Sequence, residues 1–371
     1  MTDFQSSLNH SLKNTLNLIK DSYKLNQIEI TPLKSPLTIN FYEKWLARDY
    51  HGSMSYLLSH LPYKKNPLLL DSKIKSVISV AQSYFPAVQA AEYKSPARVA
   101  LYAHNEDYHL WLKQKLIEII AQLQLQYPDE LFLPYVDSGP ILERDMAYQN
   151  RLGWFGKNTC LIHPEHGSLF FIAEILTSLN LDSEHDTFLA LPDFCGTCQK
   201  CIEICPTGAL IAPQTLKADD CISYLSIEAK TNPPVHLRKK IGDWFFGCDL
   251  CQTVCPWNEK VFRKKNIEKS DKISTSGLLS LEPQARADLV TYFEFLLTAS
   301  HKKILKFHLG SPLSRAGAKG LKRNALIVIA NKKLHELKPR ITGLLSEAKT
   351  NEVTSEFQEL AEWTLEQLNR D

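Results

Sequence analysis

The sequence predicts an α+β fold built from three consecutive parts, and three observations indicate it. The first 185 residues alternate amphipathic helices with short apolar strands, which is typical of a mixed α/β domain. Residues 186–265 hold eight of the nine cysteines, seven of them in two regularly spaced runs, which indicates a small domain built around metal ligands. Residues 266–371 show helical periodicity without a strand pattern, so we expect a helical C-terminal segment.

The elements of the two outer parts follow from the spacing of their apolar residues. Apolar residues recur every three or four positions in two N-terminal stretches, which predicts helices over 3–23 and 107–124. Short apolar runs that end in turn residues predict three strands: 75–82, 131–137 and 167–176. A polar stretch at 182–186 predicts a linker. Helical periodicity continues in four C-terminal segments: 286–301, 320–331, 334–347 and 353–369, of which the middle two could form a fragment of a helical repeat.

Composition and charge limit the function. Of 371 residues, 44% are apolar and 23% charged, as in a globular protein with a real core. The first residues lack the apolar core of an export signal and no run of 18 apolar residues occurs, so we expect a cytoplasmic protein without a membrane partner. The segment 301–340 holds eleven Lys or Arg and one acid, Glu336, which leaves 32 bases and 40 acids elsewhere. A basic segment on an otherwise acidic chain indicates a polyanionic partner, and a solvated helix face is the alternative.

The cysteine runs predict two [4Fe–4S] clusters. The first run, which ends in Pro206, matches the bacterial ferredoxin pattern C-x2-C-x2-C-x3-C-P, in which the fourth thiolate crosses to the other cluster. The second run has three cysteines, and Cys221 completes its set. The first cluster is predicted to take Cys195, Cys198, Cys201 and Cys255. The second is predicted to take Cys205, Cys221, Cys248 and Cys251. Zinc and disulfides are the alternatives, but zinc needs no crossed ligand sets and disulfides need an oxidising compartment. Cys160 stands apart and is expected to be a buried free thiol.

Asp137 is the candidate acid. It follows an apolar strand and precedes a Gly-Pro turn, and residues at such strand ends lie at the rim of a sheet, where ligands bind. Beside Tyr135, Trp154 and Phe155 the carboxyl would lie in apolar surroundings, which would raise its pKa and keep it protonated as a general acid. The alternative is an Asx turn in which Asp137 only caps the backbone.

Two further stretches are candidates for ligand contact. Residues 153–159 contain two glycines and are consistent with backbone that approaches a large ligand, although they form neither a P-loop nor a dinucleotide fingerprint. In residues 221–228, the hydroxyls of Ser223, Tyr224 and Ser226 follow a cluster ligand and could contact the group that the clusters reduce. Local strand packing is the alternative for these hydroxyls.

Together these segments resemble the epoxyqueuosine reductases, which catalyse the last step of queuosine biosynthesis in bacteria. The resemblance covers roughly residues 40–335 and is carried by these motifs: Asp107-Tyr-His, Asp137-Ser-Gly-Pro, Leu142-Glu-Arg, Gly153-Trp-Phe-Gly-Lys-Asn-Thr, Cys221-Ile-Ser-Tyr-Leu-Ser-Ile-Glu, Gly247-Cys-Asp-Leu-Cys-Gln and Gly320-Leu-Lys-Arg-Asn-Ala. Ser138 and Ser226 stand where the family more often has threonine, and both keep the hydroxyl.

The resemblance implies reduction of epoxyqueuosine to queuosine at the wobble position of tRNA. It implies cobalamin and two [4Fe–4S] clusters as cofactors, a tRNA substrate, an unidentified electron donor, and Asp137 as proton donor. We expect a monomer. The implied cobalamin contacts are Asp137, Lys157, Asn158, Thr159, Leu161, Ser223 and Tyr224. The implied tRNA contacts are Lys230, Lys322 and Arg323.

The resemblance also leaves two rival functions. The family is akin to corrinoid reductive dehalogenases, but those usually carry an export signal and would give the basic segment no purpose. A ferredoxin-type electron-transfer protein would leave the first 180 residues without a role. The cobalamin-ligating motif D-x-H-x-x-G is absent, because Leu112 stands where the glycine after Asp107 and His109 is needed. We therefore expect no histidine ligand on the lower cobalt face.

Overall fold

A computed structural model describes residues 2–84, 96–181, 191–264, 283–348 and 355–370 of the chain. The predicted linker at 182–186 lies outside these residues. The strands are β1 (Gln27–Pro32), β2 (Ser76–Ser83), β3 (Arg98–Val99), β4 (Phe132–Tyr135), β5 (Trp154–Phe155), β6 (Leu161–Ile162), β7 (Phe170–Thr177), β8 (Leu210–Ala212), β9 (Thr215–Leu216) and β10 (Trp244–Phe246). The predicted α+β class is confirmed.

Helices precede, flank and follow the sheet. In the first half of the chain they are α1 (Thr2–Ser22), α2 (Ile39–Ala47), α3 (Tyr56–Ser59), α4 (Leu61–Lys65), α5 (Tyr108–Gln126) and α6 (Glu143–Gln149). Short helices accompany the cysteine runs: α7 (Lys200–Glu203), α8 (Ile222–Ile227), α9 (Val235–Arg238), α10 (Leu250–Thr253) and α11 (Pro256–Lys264). The C-terminal helices are α12 (Pro283–Thr298), α13 (His301–Phe307), α14 (Gly317–Lys332), α15 (Lys338–Ala348) and α16 (Ser355–Asn369).

The main sheet has four strands in the order β1-β2-β7-β4, and every neighbouring pair is antiparallel. Side chains of β2 alternate between the two faces, as the strand period requires. Ile78 and Val80 join the core under α1 and α5, whereas Val77 joins the core beside α6. The sheet is therefore covered on both faces, which explains why its central strands read as continuous apolar runs. The strands predicted at 75–82, 131–137 and 167–176 are confirmed, and β1 is an additional edge strand.

α5 leads from the core to the rim of the sheet. Asp107 caps it, since its side chain accepts the backbone N–H of His109 at 3.0 Å. Leu112, Leu116 and Ile119 are fully inaccessible on its inner face, as the sequence periodicity predicted. The cap places Tyr108 and His109 at the first turn of the helix, where they reach the end of β4.

The C-terminal helices share one core with parts of the two other segments. The core combines side chains from residues 97–103, 222–246 and 289–368. β10 pairs in parallel with β3, and this pairing joins the cysteine region to the N-terminal half. Residues 222–227 form a helix, so the alternative of strand packing for Ser223, Tyr224 and Ser226 is wrong. The domain boundaries at 185 and 265 stay predictions. Within the described ranges, no helix is both long and apolar enough to cross a membrane.

Candidate active site and cysteine groups

The thiols of the two runs gather into two groups. Burial, followed by the neighbouring thiols of Cys195, Cys255 and Cys198, raises the pKa of Cys201 to about 11. These three thiols are therefore neighbours of Cys201. All nine cysteines are free of disulfides, and the rings of Trp154, Phe194 and Trp257 pack together beside this group. The indole N–H of Trp154 faces the Cys195 sulfur.

The second group is the predicted ligand set of the second cluster: Cys205, Cys221, Cys248 and Cys251. Burial raises the pKa of Cys248, with further contributions from the nearby thiols of Cys221 and Cys205. Burial raises the pKa of Cys251 as well, and the neighbouring thiols of Cys160, Cys248 and Cys221 add to the rise. The thiol neighbours of Cys201 and Cys248 come from both runs, as crossed ligand sets require, and the two sets of four stay a prediction. A [4Fe–4S] cluster uses four thiolates, one on each iron, and within the described residues no three of these side chains are arranged to hold a single metal ion.

Asp137 lies in a tight turn just after β4. Its φ angle of 54° is in the left-handed region, and the backbone N–H of Ser138 donates to the carbonyl of Val136 at 2.6 Å. An i to i+2 hydrogen bond around a residue with positive φ is a γ-turn of the rare, strained kind. Gly139 must lack a side chain here, because a Cβ atom would lie 2.4 Å from the Tyr135 ring. The turn directs the Asp137 carboxyl outward, and its side chain is 58% exposed.

The Asp137 carboxylate belongs to an acid–base network. Tyr108 donates its phenol O–H to Oδ2, and His109 Nε2 lies 3.3 Å from the same oxygen. The other ring nitrogen of His109, Nδ1, lies 2.7 Å from Oδ1 of Asp107. The imidazole is therefore held between two carboxylates. Desolvation lowers the pKa of His109, but its hydrogen bonds to Asp137 and Asp107 raise it more, so the net shift is upward.

The expected pKa of Asp137 is wrong in direction. Partial loss of hydration does raise it, but the hydrogen bonds from His109 and Tyr108 outweigh that effect and hold the pKa of Asp137 below its ordinary value. Trp154 does not provide apolar surroundings, since it packs against Phe194 and Trp257 beside the first cysteine group. The hydrogen bond between the two side chains that lowers the pKa of Asp137 also raises the pKa of His109.

Three charged residues near Asp137 were given no role by sequence reasoning. Lys64 is buried and donates Nζ to the carbonyl of Ile141 at 2.6 Å. Glu143 is enclosed, and burial, followed by the charge of Asp137, raises its pKa to about 8. Arg144 donates to the carbonyl of Thr159. The only signal for the latter two was the Leu142-Glu-Arg motif, and Lys64 in a lysine-rich helix end gave none.

The predicted cofactor contacts fall in two places. Lys157 Nζ donates to the carbonyls of Gly196 and Cys198, at 2.6 and 3.0 Å, and Asn158 donates to that of Cys251 at 3.2 Å. With Thr159 bonded to Arg144, this turn joins the Asp137 side of the site to both cysteine groups. Leu161 is buried in the adjoining core.

The other two predicted cofactor contacts lie on α8. Tyr224 donates its hydroxyl to Ser53 Oγ at 2.9 Å, and Ser223 is partly accessible.

The predicted tRNA contacts are only partly on the surface. Arg323 is 7% exposed and donates to the backbone carbonyls of Ala229, Thr231 and Leu225. Its assignment as a phosphate contact is therefore wrong, because the guanidinium ties α14 to the chain after α8. Lys322 is half-buried and donates to the carbonyl of Leu297 at 3.3 Å, while Lys230 is exposed.

Comparisons with known proteins extend these findings. Residues 194–258 match the family model of a 4Fe-4S double cluster binding domain, and residues 65–138 match that of epoxyqueuosine reductase QueG, DUF1730. The chain is 39% identical to the epoxyqueuosine reductase of Cyclobacterium marinum over 62% of its own length and 72% of the relative. It is 35% identical to that of Pseudomonas aeruginosa over 78% of its own length and 77% of the relative.

Solved structures agree with these matches. An epoxyqueuosine reductase crystallised with an epoxyqueuosine-modified tRNA-Tyr stem loop superposes with a TM-score of 0.76 at 25% identity, over 97% of this chain and 99% of the other. The Bacillus subtilis enzyme, with its catalytic aspartate loop swung out of the active site, gives 0.74 at 25% identity over the same shares.

An acid–base network on a sheet edge, next to a double 4Fe-4S domain, defines an iron–sulfur oxidoreductase. The identity and coverage go further: the chain belongs to the epoxyqueuosine reductase family.

Proposed function

We propose that this protein reduces epoxyqueuosine in tRNA to queuosine, with cobalamin and two [4Fe–4S] clusters as cofactors and Asp137 as the proton donor. The carrying observation is the Asp137 carboxylate, exposed at the rim of the sheet and joined to Tyr108 and His109 in a member of the epoxyqueuosine reductase family. Removal of the epoxide oxygen as water consumes two electrons and two protons. The site must therefore handle protons as well as electrons. Because tRNA is modified in the cytoplasm, we place the protein there.

Proton delivery is assigned to the network around Asp137. His109, whose pKa is raised, stores a proton within hydrogen-bonding reach of the Asp137 carboxylate. Passing this proton to Asp137 converts the carboxylate into an acid that can protonate the departing oxygen. Asp107 keeps the imidazole in place by accepting Nδ1–H. Tyr108 holds the carboxylate through its phenol and fixes its direction. In this proposal His109 holds the proton that the sequence analysis had placed on Asp137.

Electron supply is assigned to the two cysteine groups. The sets Cys195, Cys198, Cys201, Cys255 and Cys205, Cys221, Cys248, Cys251 would each hold one cluster. The turn Lys157–Thr159 hydrogen-bonds to backbone beside both groups, and on its other side it meets Arg144 near Asp137. A redox cofactor between the clusters and Asp137 would lie against this turn.

Cobalamin would find polar contacts in two places, the turn 157–159 beside the cysteine groups and the hydroxyls of α8. Backbone and hydroxyl groups of Lys157, Asn158, Thr159, Ser223 and Tyr224 offer neutral polar contacts of the kind that a large corrin with amide side chains accepts. When bound, cobalamin supplies a cobalt centre that delivers electrons to the epoxide carbon. Both ring nitrogens of His109 already face carboxylates, so this histidine serves proton handling rather than cobalt ligation.

The tRNA surface is assigned to α13 in place of Arg323. Lys302 and Lys306 are exposed there, and Phe307, the last residue of α13, is 50% exposed. Lysines bind phosphates, and an exposed aromatic ring offers a stacking face for an unpaired base. The segment after α13 touches the site directly, because the backbone N–H of Asp107 donates to the carbonyl of Gly310 at 2.8 Å.

The deciding experiment replaces Asp137 by Asn. Asp137→Asn keeps the shape of the side chain but cannot donate a proton, so single-turnover conversion of epoxyqueuosine-containing tRNA should slow by a factor on the order of 10²–10⁴. A strong chemical reductant is used so that electron delivery does not limit the rate. Iron content and cobalamin absorbance should match those of the wild type. A wild-type rate would assign the proton to Tyr108 or to water.

The same assay separates the rival functions. A corrinoid dehalogenase would reduce a small halogenated molecule in the absence of RNA, whereas we expect turnover only with modified tRNA. A ferredoxin-type carrier would show cluster absorbance and retain no cobalamin after reconstitution.

A further inference from the structure

The turn that carries Asp137 is strained and needs support. Asp137 has a positive φ without being glycine, and the hydrogen bond from Ser138 to Val136 closes the turn over it. Such a conformation costs energy and persists only where surrounding groups hold it. Tyr108 and His109 contact the exposed carboxylate, but neither contacts the backbone of the turn. We therefore looked for support of the turn backbone among the buried residues that pack under it.

Lys64 supplies part of this support. It lies at the end of α4, is 8% exposed, and its ammonium donates to the Ile141 carbonyl, where the turn leaves the rim. The Ile141 side chain is buried in the core beside β2 and β7. The far end of the turn is thus fixed on two sides. Its neighbour Lys65 points to the surface instead and pairs with Glu43 at 2.8 Å.

Glu143 supplies the rest. It begins α6, two residues after Ile141, and its buried carboxyl lies near enough to the backbone N–H of Asp137 for that group to lower its pKa. Its Oε1 atom is inaccessible to solvent, and no hydrogen-bond donor among the described residues reaches it. Lys64, Arg144 and Asp137 are its charged neighbours. A buried carboxyl with an unpartnered oxygen is costly to keep, which indicates that it serves the turn above it.

We propose that Lys64 and Glu143 form a buried clamp that holds the Asp137 turn in the conformation that places its carboxylate at the rim of the sheet beside Tyr108 and His109. Both are positioning residues, since each acts on the backbone of the turn and neither touches substrate. Because it concerns Asp137 as the acid, this inference rests on the proposed function. Release of the clamp would let the turn relax out of the site, and a shift of about 1 Å in a catalytic group can cost a factor on the order of 10² in rate.

The test measures loop opening and catalysis separately in the full-length protein loaded with clusters and cobalamin. Lys64→Met removes the ammonium and keeps the length of the chain. We expect kcat for an epoxyqueuosine-modified stem loop to fall on the order of 10²-fold, with KM nearly unchanged. Amide hydrogen exchange over residues 136–142 should accelerate about tenfold or more. The matched control, Lys65→Met, should change neither quantity.

Glu143 is tested by a pair of variants. Glu143→Gln keeps an oxygen that can accept the Asp137 N–H, so loop exchange and kcat should stay near the wild type. Glu143→Ala removes the acceptor and should behave like Lys64→Met. If Lys64→Met fails to fold, as judged by iron content and melting, this pair decides alone.

Three outcomes would overturn the clamp. The first is wild-type loop exchange in both Lys64→Met and Glu143→Ala. The second is faster exchange with unchanged kcat, which would leave the turn without catalytic consequence. The third is a Glu143→Gln variant as slow as Glu143→Ala, which would assign an ionisable role to Glu143. Failure of the proposed function appears elsewhere, in a wild-type rate for Asp137→Asn, and the exchange measurement is independent of it.

Discussion

The cysteine groups and the Asp137 site handle their titratable residues in opposite ways. In the cysteine groups burial and like neighbours shift every perturbed thiol pKa upward, as for Cys201 and Cys248. In the Asp137 site the shifts diverge: the pKa of Asp137 goes down, whereas those of His109 and Glu143 go up. A group of side chains of one type, with pKa values shifted in one direction, is suited to bind one kind of ligand. A group of side chains whose pKa values are shifted in opposite directions is suited to transfer protons, because proton donors and proton acceptors coexist at one pH.

The largest effect is expected in the cysteine groups. Cys221→Ala should remove one ligand of the second group and lower the iron content of the reconstituted protein from about eight to about four. Turnover should fall to background, since the electron path is broken. Iron analysis and cluster absorbance measure the outcome.

Cys160 provides the matched control for that variant. It lies close enough to Cys255 and Cys201 for their charges to affect its pKa, but it belongs to neither set. Cys160→Ala should therefore keep about eight irons. Full iron in Cys221→Ala, or loss of iron in Cys160→Ala, would refute the ligand assignment.

A smaller effect is expected at His109. Because the folded-state pKa of His109 is raised above 6.5, the imidazolium is present below that pKa and is lost as pH rises through it. Single-turnover rates should fall over the same interval. His109→Gln should slow the reaction on the order of 10–10²-fold and flatten this limb of the profile.

Asp107→Asn tests whether the fall in rate at higher pH is caused by deprotonation of His109. It removes one of the two carboxylates that raise the pKa of His109, so the limb should move to lower pH. A profile unchanged in both variants would show that another group titrates.

The mildest effect is expected on the basic surface, where exposed and buried cations should respond differently. Lys302→Glu with Lys306→Glu should weaken tRNA binding and reduce the slope of log K against log salt by about 1 or more. Arg323→Met should leave the salt slope unchanged and lower the melting temperature on the order of 5 °C, because three carbonyls lose their donor. A salt slope that depends on Arg323 would restore the original assignment.

The sequence predicted best what is encoded locally. The cysteine spacing predicted the 4Fe-4S double cluster domain, and apolar periodicity placed α5, α14 and the inner strands. The sequence was a poor guide to properties that depend on contacts between residues far apart in the chain. The pKa of Asp137 depends on side chains from α5, and the burial of Arg323 depends on carbonyls about 92–98 residues away. Lys64 and Glu143 lie 79 residues apart in sequence, and no local pattern joins them.

The parallel pairing of β10 with β3 bears on the order of assembly during synthesis. Cys248 follows β10 by two residues, and the intervening Gly247 has a φ of 68° and approaches Ala100 so closely that a Cβ atom would lie 2.6 Å from it. The strand partner, with the Arg98–Asp243 ion pair beside it, is about 145 residues earlier in the chain. β10 therefore leaves the ribosome long after its partner strand β3. Only when β10 docks on it, and α14 packs behind, does Cys248 reach its final place. The position of Cys248 thus depends on a pairing between distant parts of the chain, so a substitution that weakens the β3–β10 pairing would displace this thiol as well.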